Sequence, residues 1–216
     1  MTAITDRQTT LHTILSAAPV LPVVVVDSPE EALCLTDALV AGGLTAIEIT
    51  LRTPAALDAI ASLSASHKNA RIGAGTVTTP EQLAAVEQAG AAFAVSPGST
   101  PALLDAAEES ALPFLPGAAT ASEAMQLLAR GFSYQKFFPA EASGGAPAVK
   151  ALGAPLPDIR FCPTGGISPD NALDYLSLAN VICIGGSWVA DPKLIRAGQW
   201  DAVTERARHA KALMGR

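Results

Sequence analysis

The chain has 216 residues, half of them hydrophobic and 16% charged, with a formal net charge of −6. That length supports one core burying roughly 70% of the unfolded surface, and the acidic balance argues against nucleic acid, whose phosphate backbone selects basic surfaces. No apolar run approaches the ~20 residues of a membrane span and no cationic segment with an apolar stretch behind it opens the chain, so no membrane partner and a cytoplasmic location are expected.

An amphipathic segment near Thr5–Ala17 comes first. From there, short Val-, Ile- and Phe-rich runs recur about every 20 to 25 residues, each followed by a turn signal and an alanine- and leucine-rich stretch at helical spacing. This is the βα pattern of a parallel sheet. The predicted strands are Pro22–Asp27, Ala46–Thr50, Arg71–Gly75, Ala92–Ser96, Pro113–Pro116, Tyr134–Phe138, Arg160–Pro163 and Val181–Gly185. Helices are predicted over Pro29–Ala41, Pro54–Ser64, Pro80–Ala89, Pro101–Glu109, Ser122–Ala129 and Pro169–Leu178, several opening on the proline that a first helical turn tolerates. Asp201–Met214 closes the chain as a last helix. No linker or low-complexity run divides the sequence, so residues 1–216 read as one domain.

Eight βα units in this length predict an α/β fold, a (β/α)8 TIM barrel with an extra N-terminal helix, because eight strands close a sheet whose interior side chains just fill it. An open doubly wound sheet is the alternative. It is disfavoured because Asp27-Ser28-Pro29-Glu30 follows the first strand in place of a GxGxxG dinucleotide fingerprint.

In such a barrel, functional groups gather at the carboxyl ends of the strands, and the polar exceptions to the apolar runs fall there. Lys136 sits inside Tyr134-Gln135-Lys136-Phe137-Phe138-Pro139. An ammonium withdrawn from water loses its proton more readily, and the neutral amine can attack a carbonyl to form a Schiff base; the competing reading is a lysine snorkelling to solvent or paired with a carboxylate. Glu48 lies in Ala46-Ile47-Glu48-Ile49-Thr50-Leu51-Arg52, where period-two alternation sends Ile47 and Ile49 toward the helices and Glu48, Thr50 and Arg52 to the inner side. A structural Glu48–Lys136 or Glu48–Arg52 ion pair is the bland alternative. Arg52 offers a planar fork for a carboxylate. Thr76 ends Gly73-Ala74-Gly75-Thr76-Val77, where two glycines would let a ligand approach the backbone; Thr76 could also cap the following helix.

Two glycine pairs follow the last two strands, Thr164-Gly165-Gly166 and Gly185-Gly186-Ser187. Barrels commonly hold a substrate phosphate there on backbone N–H groups. Neither loop contains Lys or Arg, so amide dipoles and the Ser187 hydroxyl are the expected phosphate ligands. His12, His67 and His209 fall on predicted helices or helix ends away from the mouth and read as solvated surface residues, which favours neither a histidine triad nor a histidine metal site. Cys34, Cys162 and Cys183 show no CxxC spacing and read as small packing residues.

Taken together, Gly42-Gly43, Ile47-Glu48-Ile49-Thr50-Leu51-Arg52-Thr53, Gly73-Ala74-Gly75-Thr76-Val77, Ser96-Pro97-Gly98, Lys136-Phe137-Phe138-Pro139-Ala140-Glu141, Arg160 to Pro169 and Cys183-Ile184-Gly185-Gly186-Ser187-Trp188 resemble, in order and across nearly the whole chain, the 2-keto-3-deoxy-6-phosphogluconate (KDPG) aldolase and 4-hydroxy-2-oxoglutarate aldolase family. The resemblance implies a cofactor-independent, metal-free class I aldolase of the Entner–Doudoroff pathway, cleaving KDPG to pyruvate and glyceraldehyde 3-phosphate. In that scheme Lys136 forms the Schiff base and Glu48 moves the protons. Arg52 and Thr76 hold the pyruvyl carboxylate, Thr164 contacts the substrate hydroxyls, and Gly165, Gly166, Gly185, Gly186 and Ser187 hold the phosphate. The expected partners are a small phosphorylated keto acid and two further copies in a homotrimer. Two readings compete: a phosphosugar isomerase or epimerase with Glu48 as base and no covalent adduct, and a phosphometabolite-binding barrel without chemistry.

Overall fold

The structure, a computed structural model, describes residues 2–213. Its strands all pair in parallel. β1 (Val20–Val24), β2 (Ala46–Thr50), β3 (Arg71–Gly75), β4 (Phe93–Val95) and β5 (Phe114–Leu115) follow one another in the first ladder, and β9 (Ile184–Gly186) pairs with the free edge of β1. β6 (Gly117–Ala118), β7 (Tyr134–Phe137) and β8 (Arg160–Pro163) form the second ladder. Pro116 alone separates β5 from β6, so one stretch of chain passes from ladder to ladder. Proline has no N–H to donate, but the Pro116 carbonyl accepts from the Lys136 N–H at 2.9 Å. On the other side, isolated bridges Phe161↔Val181 and Thr164↔Gly185 join β8 to the β9 segment. The circuit closes as eight staves, the fifth made of β5 and β6, and this is the predicted (β/α)8 barrel.

Helices α2 (Pro29–Ala41), α3 (Ala56–Ser66), α4 (Pro80–Gln88), α5 (Pro101–Glu109), α6 (Ala121–Ala129), α7 (Gly145–Gly153), α8 (Ala172–Leu176), α9 (Pro192–Arg196) and α10 (Trp200–Ala212) follow the strands, with a 3-10 turn at Trp188–Ala190. Five starts are fixed by side-chain caps, among them α9, where Asp191 accepts from the Lys193 N–H. Ser28, Thr79 and Thr100 accept from the N–H of Glu31, Gln82 and Leu103, and Thr120 makes a reciprocal capping box with Glu123. Each such cap stabilises its helix by about 1 kcal/mol.

Alternation along the staves divides the apolar residues into two cores. Ile47, Ile49, Ile72, Ala74, Phe114, Phe137, Phe161 and Ile184 point outward into the helix layer. Leu21, Ala46, Phe93, Val95, Leu115, Cys162 and Cys183 fill the lower interior, where Leu11, Ile14 and Leu15 of α1 (Thr2–Leu15) pack against them. The extra N-terminal helix is therefore the plug of the barrel floor.

Several expectations need correction. β1 starts two residues before the predicted Pro22, because Val20 already pairs with Ile184; the apolar run continues past the ladder, and Val25 is 43% exposed. The last strand is Ile184–Gly186, so Gly185 and Gly186 are strand residues and only Ser187 lies beyond. α7, absent from the predicted helices, begins at Gly145 behind the left-handed Gly144. Cys34 is exposed on α2 and packs in neither core, unlike Cys162 and Cys183. His67 is partly buried and pairs with Asp37 at 3.1 Å, whereas His209 is exposed. Met214, the predicted end of the last helix, lies outside the described residues.

Candidate active site

Two charged side chains stand above the apolar floor. Glu48 projects inward from the middle of β2 and Lys136 from β7, each two residues beyond a floor-level neighbour, Ala46 and Tyr134. Lys136 Nζ donates to Glu48 Oε1 at 3.3 Å, with the residues 4% and 1% exposed. A pair taken this far out of water adds little net stability, because desolvation offsets most of the Coulombic gain. Its presence points to chemistry more than to folding. Gly75 makes room for it: a Cβ there would lie 2.2 Å from Glu48 Oε1. Gly73 likewise leaves the space that the Phe93 ring fills. The two glycines thus admit protein side chains, not the ligand the sequence suggested. Sequence states that a glycine is small without stating what occupies the space.

Arg52 and Thr76 meet at the mouth. Arg52 lies in the turn after β2 and not on the inner face of the strand as alternation predicts; it is exposed, and its Nε donates to Thr76 Oγ1 at 3.2 Å. Thr76 has φ 61°, the one non-glycine with positive φ among the described residues. A β-branched side chain in that conformation is strained, and strain of this kind concentrates at functional sites. Thr76 does not cap the next helix; Thr79 does. Beside them Thr50 is buried and donates to the Val24 carbonyl at 3.0 Å.

The glycine loops face each other across the β8–β9 bridge. Gly185 leaves room for Thr164, whose Oγ1 would sit 2.2 Å from a Cβ, and Gly186 leaves room for the Trp188 ring. Gly165 and Gly166 adopt φ of 103° and 78°, the left-handed region that glycine alone enters freely. A cleft of about 160 Å³ joins Arg52, Thr164, Gly165, Gly166, Gly185 and Ser187 to an apolar wall of Val23, Val25, Phe138 and Ile167. Phe138 connects this cleft to the pair below, its ring centroid 5.3 Å from Lys136 Nζ. That wall escaped the sequence reading, although Tyr134, Lys136 and Phe138 share one face by alternation.

Beneath the pair, the Cys183 thiol donates to Cys162 Sγ at 3.5 Å. The bond to Cys162, burial and the nearby Glu48 carboxylate push the Cys183 thiol well above its ordinary range. It stays protonated and packs as an apolar group.

The arrangement offers a buried amine, a carboxylate to exchange protons with it, a cationic fork and the unpaired amides of Gly166 and Ser187. Comparisons with known proteins give the family of the chain. The family model for KDPG and KHG aldolase matches residues 11–206. The chain is 53% identical over 199 residues to a 2-dehydro-3-deoxy-phosphogluconate aldolase of Pseudoalteromonas atlantica, covering 92% of this chain and 93% of that one. It is 49% identical over 203 residues to the KHG/KDPG aldolase of Escherichia coli K12, covering 94% and 95%. Among solved structures, the KDPG aldolase of Legionella pneumophila, with pyruvate captured at low pH as a covalent carbinolamine intermediate, aligns with a TM-score of 0.91 at 45% identity over 93% of this chain and 97% of that one.

Proposed function

This chain belongs to the KDPG and KHG aldolase family, and from that premise we propose that it cleaves 2-keto-3-deoxy-6-phosphogluconate through a Schiff base on Lys136. The observation that carries the assignment is the buried Lys136 Nζ–Glu48 Oε1 contact at 3.3 Å. The amine adds to the C2 ketone of the substrate, giving a carbinolamine, the kind of adduct named for the Legionella relative. Loss of water leaves an iminium that withdraws electrons from C3. Glu48, directly or through a water, takes the C4 hydroxyl proton; the C3–C4 bond breaks, its electron pair passes into the iminium, and glyceraldehyde 3-phosphate leaves. The enamine then takes a proton at C3 from the same carboxyl group. Water hydrolyses the iminium, releasing pyruvate and restoring the amine.

Arg52 and Thr76 receive the carboxylate of the pyruvyl half, held ready by their mutual hydrogen bond. Thr164 faces the substrate hydroxyls. The phosphate lies against Gly165, Gly166, Gly185, Gly186 and Ser187; among the described residues, the N–H groups of Gly166 and Ser187 donate to no protein acceptor, while the Gly165 N–H faces the Gly185 carbonyl in the Thr164↔Gly185 bridge. 4-Hydroxy-2-oxoglutarate, cleaved to pyruvate and glyoxylate, is a second substrate of the same chemistry that forgoes the phosphate contacts. Residues 1–216 act as one catalytic domain, in a cytoplasmic homotrimer; among the described residues no helix is long and apolar enough to cross a membrane.

Borohydride reduction in the presence of pyruvate tests the assignment. The expected result is one pyruvyl adduct on the peptide carrying Lys136. Turnover with no trapped adduct would replace the aldolase reading with proton-transfer chemistry alone. Comparing kcat/KM for KDPG, its C4 epimer and 4-hydroxy-2-oxoglutarate then ranks the substrates by transition-state stabilisation; equal values with and without phosphate remove the role given to the glycine loops.

A further inference from the structure

Just outside the cleft, Glu141 and Tyr175 form a contact that the reaction scheme leaves unused. Tyr175 is 0% exposed on α8, and its hydroxyl donates to Glu141 Oε1. Glu141 itself lies at the surface of the turn between β7 and α7. Its stem packs on the glycine loop: a Cβ on Gly166 would lie 2.6 Å from Glu141 Cγ and 2.7 Å from its Cβ.

The backbone around this contact is committed on one side only. The Thr164 carbonyl accepts from the Ala140 N–H at 2.8 Å and the Gly165 carbonyl from the Glu141 N–H at 3.1 Å, so the β7–β8 ladder runs on past both strand ends. The Gly166 carbonyl accepts from Asn171 Nδ2 at 3.3 Å. Three successive carbonyls thus face protein donors and the Gly165 N–H faces the Gly185 carbonyl across the bridge, while the Gly166 amide remains for a ligand. Two adjacent left-handed glycines have many conformations open to them, and such a loop keeps its amides aimed only if its other side is fastened. The Glu141 stem lies where that fastening is needed, and Tyr175 holds its carboxylate from the buried side. Burial, then the Glu141 carboxylate, push the Tyr175 phenol above its ordinary range, so it stays a donor at working pH.

We propose that Glu141 and Tyr175 are positioning residues that fix the Gly165-Gly166 turn with the Gly166 N–H toward the cleft, and so set the affinity for the phosphorylated end of the substrate without touching it. The inference rests on the phosphate reading of the glycine loops.

The test measures KM and kcat for KDPG and, separately, the pyruvate concentration giving half-maximal borohydride trapping at Lys136. Tyr175→Phe and Glu141→Ala are each expected to raise KM about tenfold, the scale of one lost charge-assisted hydrogen bond. kcat and the pyruvate half-saturation, which reports a folded site without phosphate, stay within about twofold on the ordinary additivity of distant sites. Glu141→Gln, which keeps the stem and an acceptor for Tyr175, restores most of the affinity. An equal loss in KDPG and pyruvate binding would make the contact merely structural and overturn the proposal, as would an unchanged KM. Ser187→Ala, measured alongside, separates the two ideas. If it alone raises KM, the phosphate reading stands and the positioning role falls; if neither it nor Tyr175→Phe does, both fall.

Discussion

The floor and the mouth of the barrel are built from the same staves, two residues apart, and they do opposite work. At floor level Leu21, Ala46, Phe93, Leu115 and Cys162 meet Leu11, Ile14 and Leu15 of the plug helix. One layer up stand Glu48, Lys136 and Thr164, with 1%, 4% and 7% exposure. Burial is the same in both layers. What differs is whether the buried group has apolar neighbours to satisfy it or one charged partner and a cleft. The contrast teaches that stability and reactivity here are separable by height along a strand, and substitutions in each layer can test the separation.

The largest effect expected is on the amine. Lys136→Met keeps the volume and removes the proposed nucleophile; kcat should fall by at least about 10⁴-fold and pyruvate trapping should vanish, with the melting temperature lowered because Glu48 is left buried without its partner. Glu48→Gln should lower kcat by about 10³-fold, the scale of a lost general base, while a pyruvate adduct still forms; a retained turnover rate would end its assignment as base. Floor substitutions should do the reverse. Leu15→Ala is expected to cost about 2–4 kcal/mol in a denaturant titration, with kcat per folded molecule unchanged, and a matching loss of kcat would show that the layers are coupled. Gly75→Ala straddles the boundary: its methyl group meets the Glu48 carboxylate, so about 1–3 kcal/mol of stability is lost together with activity.

The smallest effect belongs to the rim. The Ala119 N–H, and with it Thr120, holds the Glu123 carboxylate below its usual range. A carboxylate lowered on folding contributes stability above its unfolded pKa and loses it as pH falls through the folded one. Acid titration below pH 4.5 should therefore destabilise wild type slightly more than Glu123→Gln; parallel stability profiles would leave this cap without electrostatic weight.

Legibility in the sequence follows the same division. Ala46–Thr50, Arg71–Gly75 and Arg160–Pro163 are strands with the predicted bounds, because each alternates or runs apolar between clear breakers. The bounds of β1 were not readable, since its start is set by pairing with a strand more than 160 residues away. Glu48 and Lys136 were legible as charges inside apolar runs. Arg52 was misplaced because alternation stops where the strand does, and nothing local announces that stop. The conformation of Thr76 could not be read at all, because a threonine is a poor choice for positive φ by intrinsic preference. Glycine roles were the least legible, because Gly73, Gly75, Gly185 and Gly186 are each defined by the side chain that fills the space beside them.

The closure between β8 and β9 has one more consequence. The Thr164↔Gly185 bridge that joins them at the mouth lies between Gly165-Gly166 on one bank of the cleft and Ser187 on the other. An anion that touches both banks acts as a rivet across this seam, and its binding energy adds to the cohesion of the closed ring by mass action. Amide protons near the seam should then exchange with deuterium more slowly as ligand is added, while those of the β2–β3 ladder, paired along its whole length, should be indifferent.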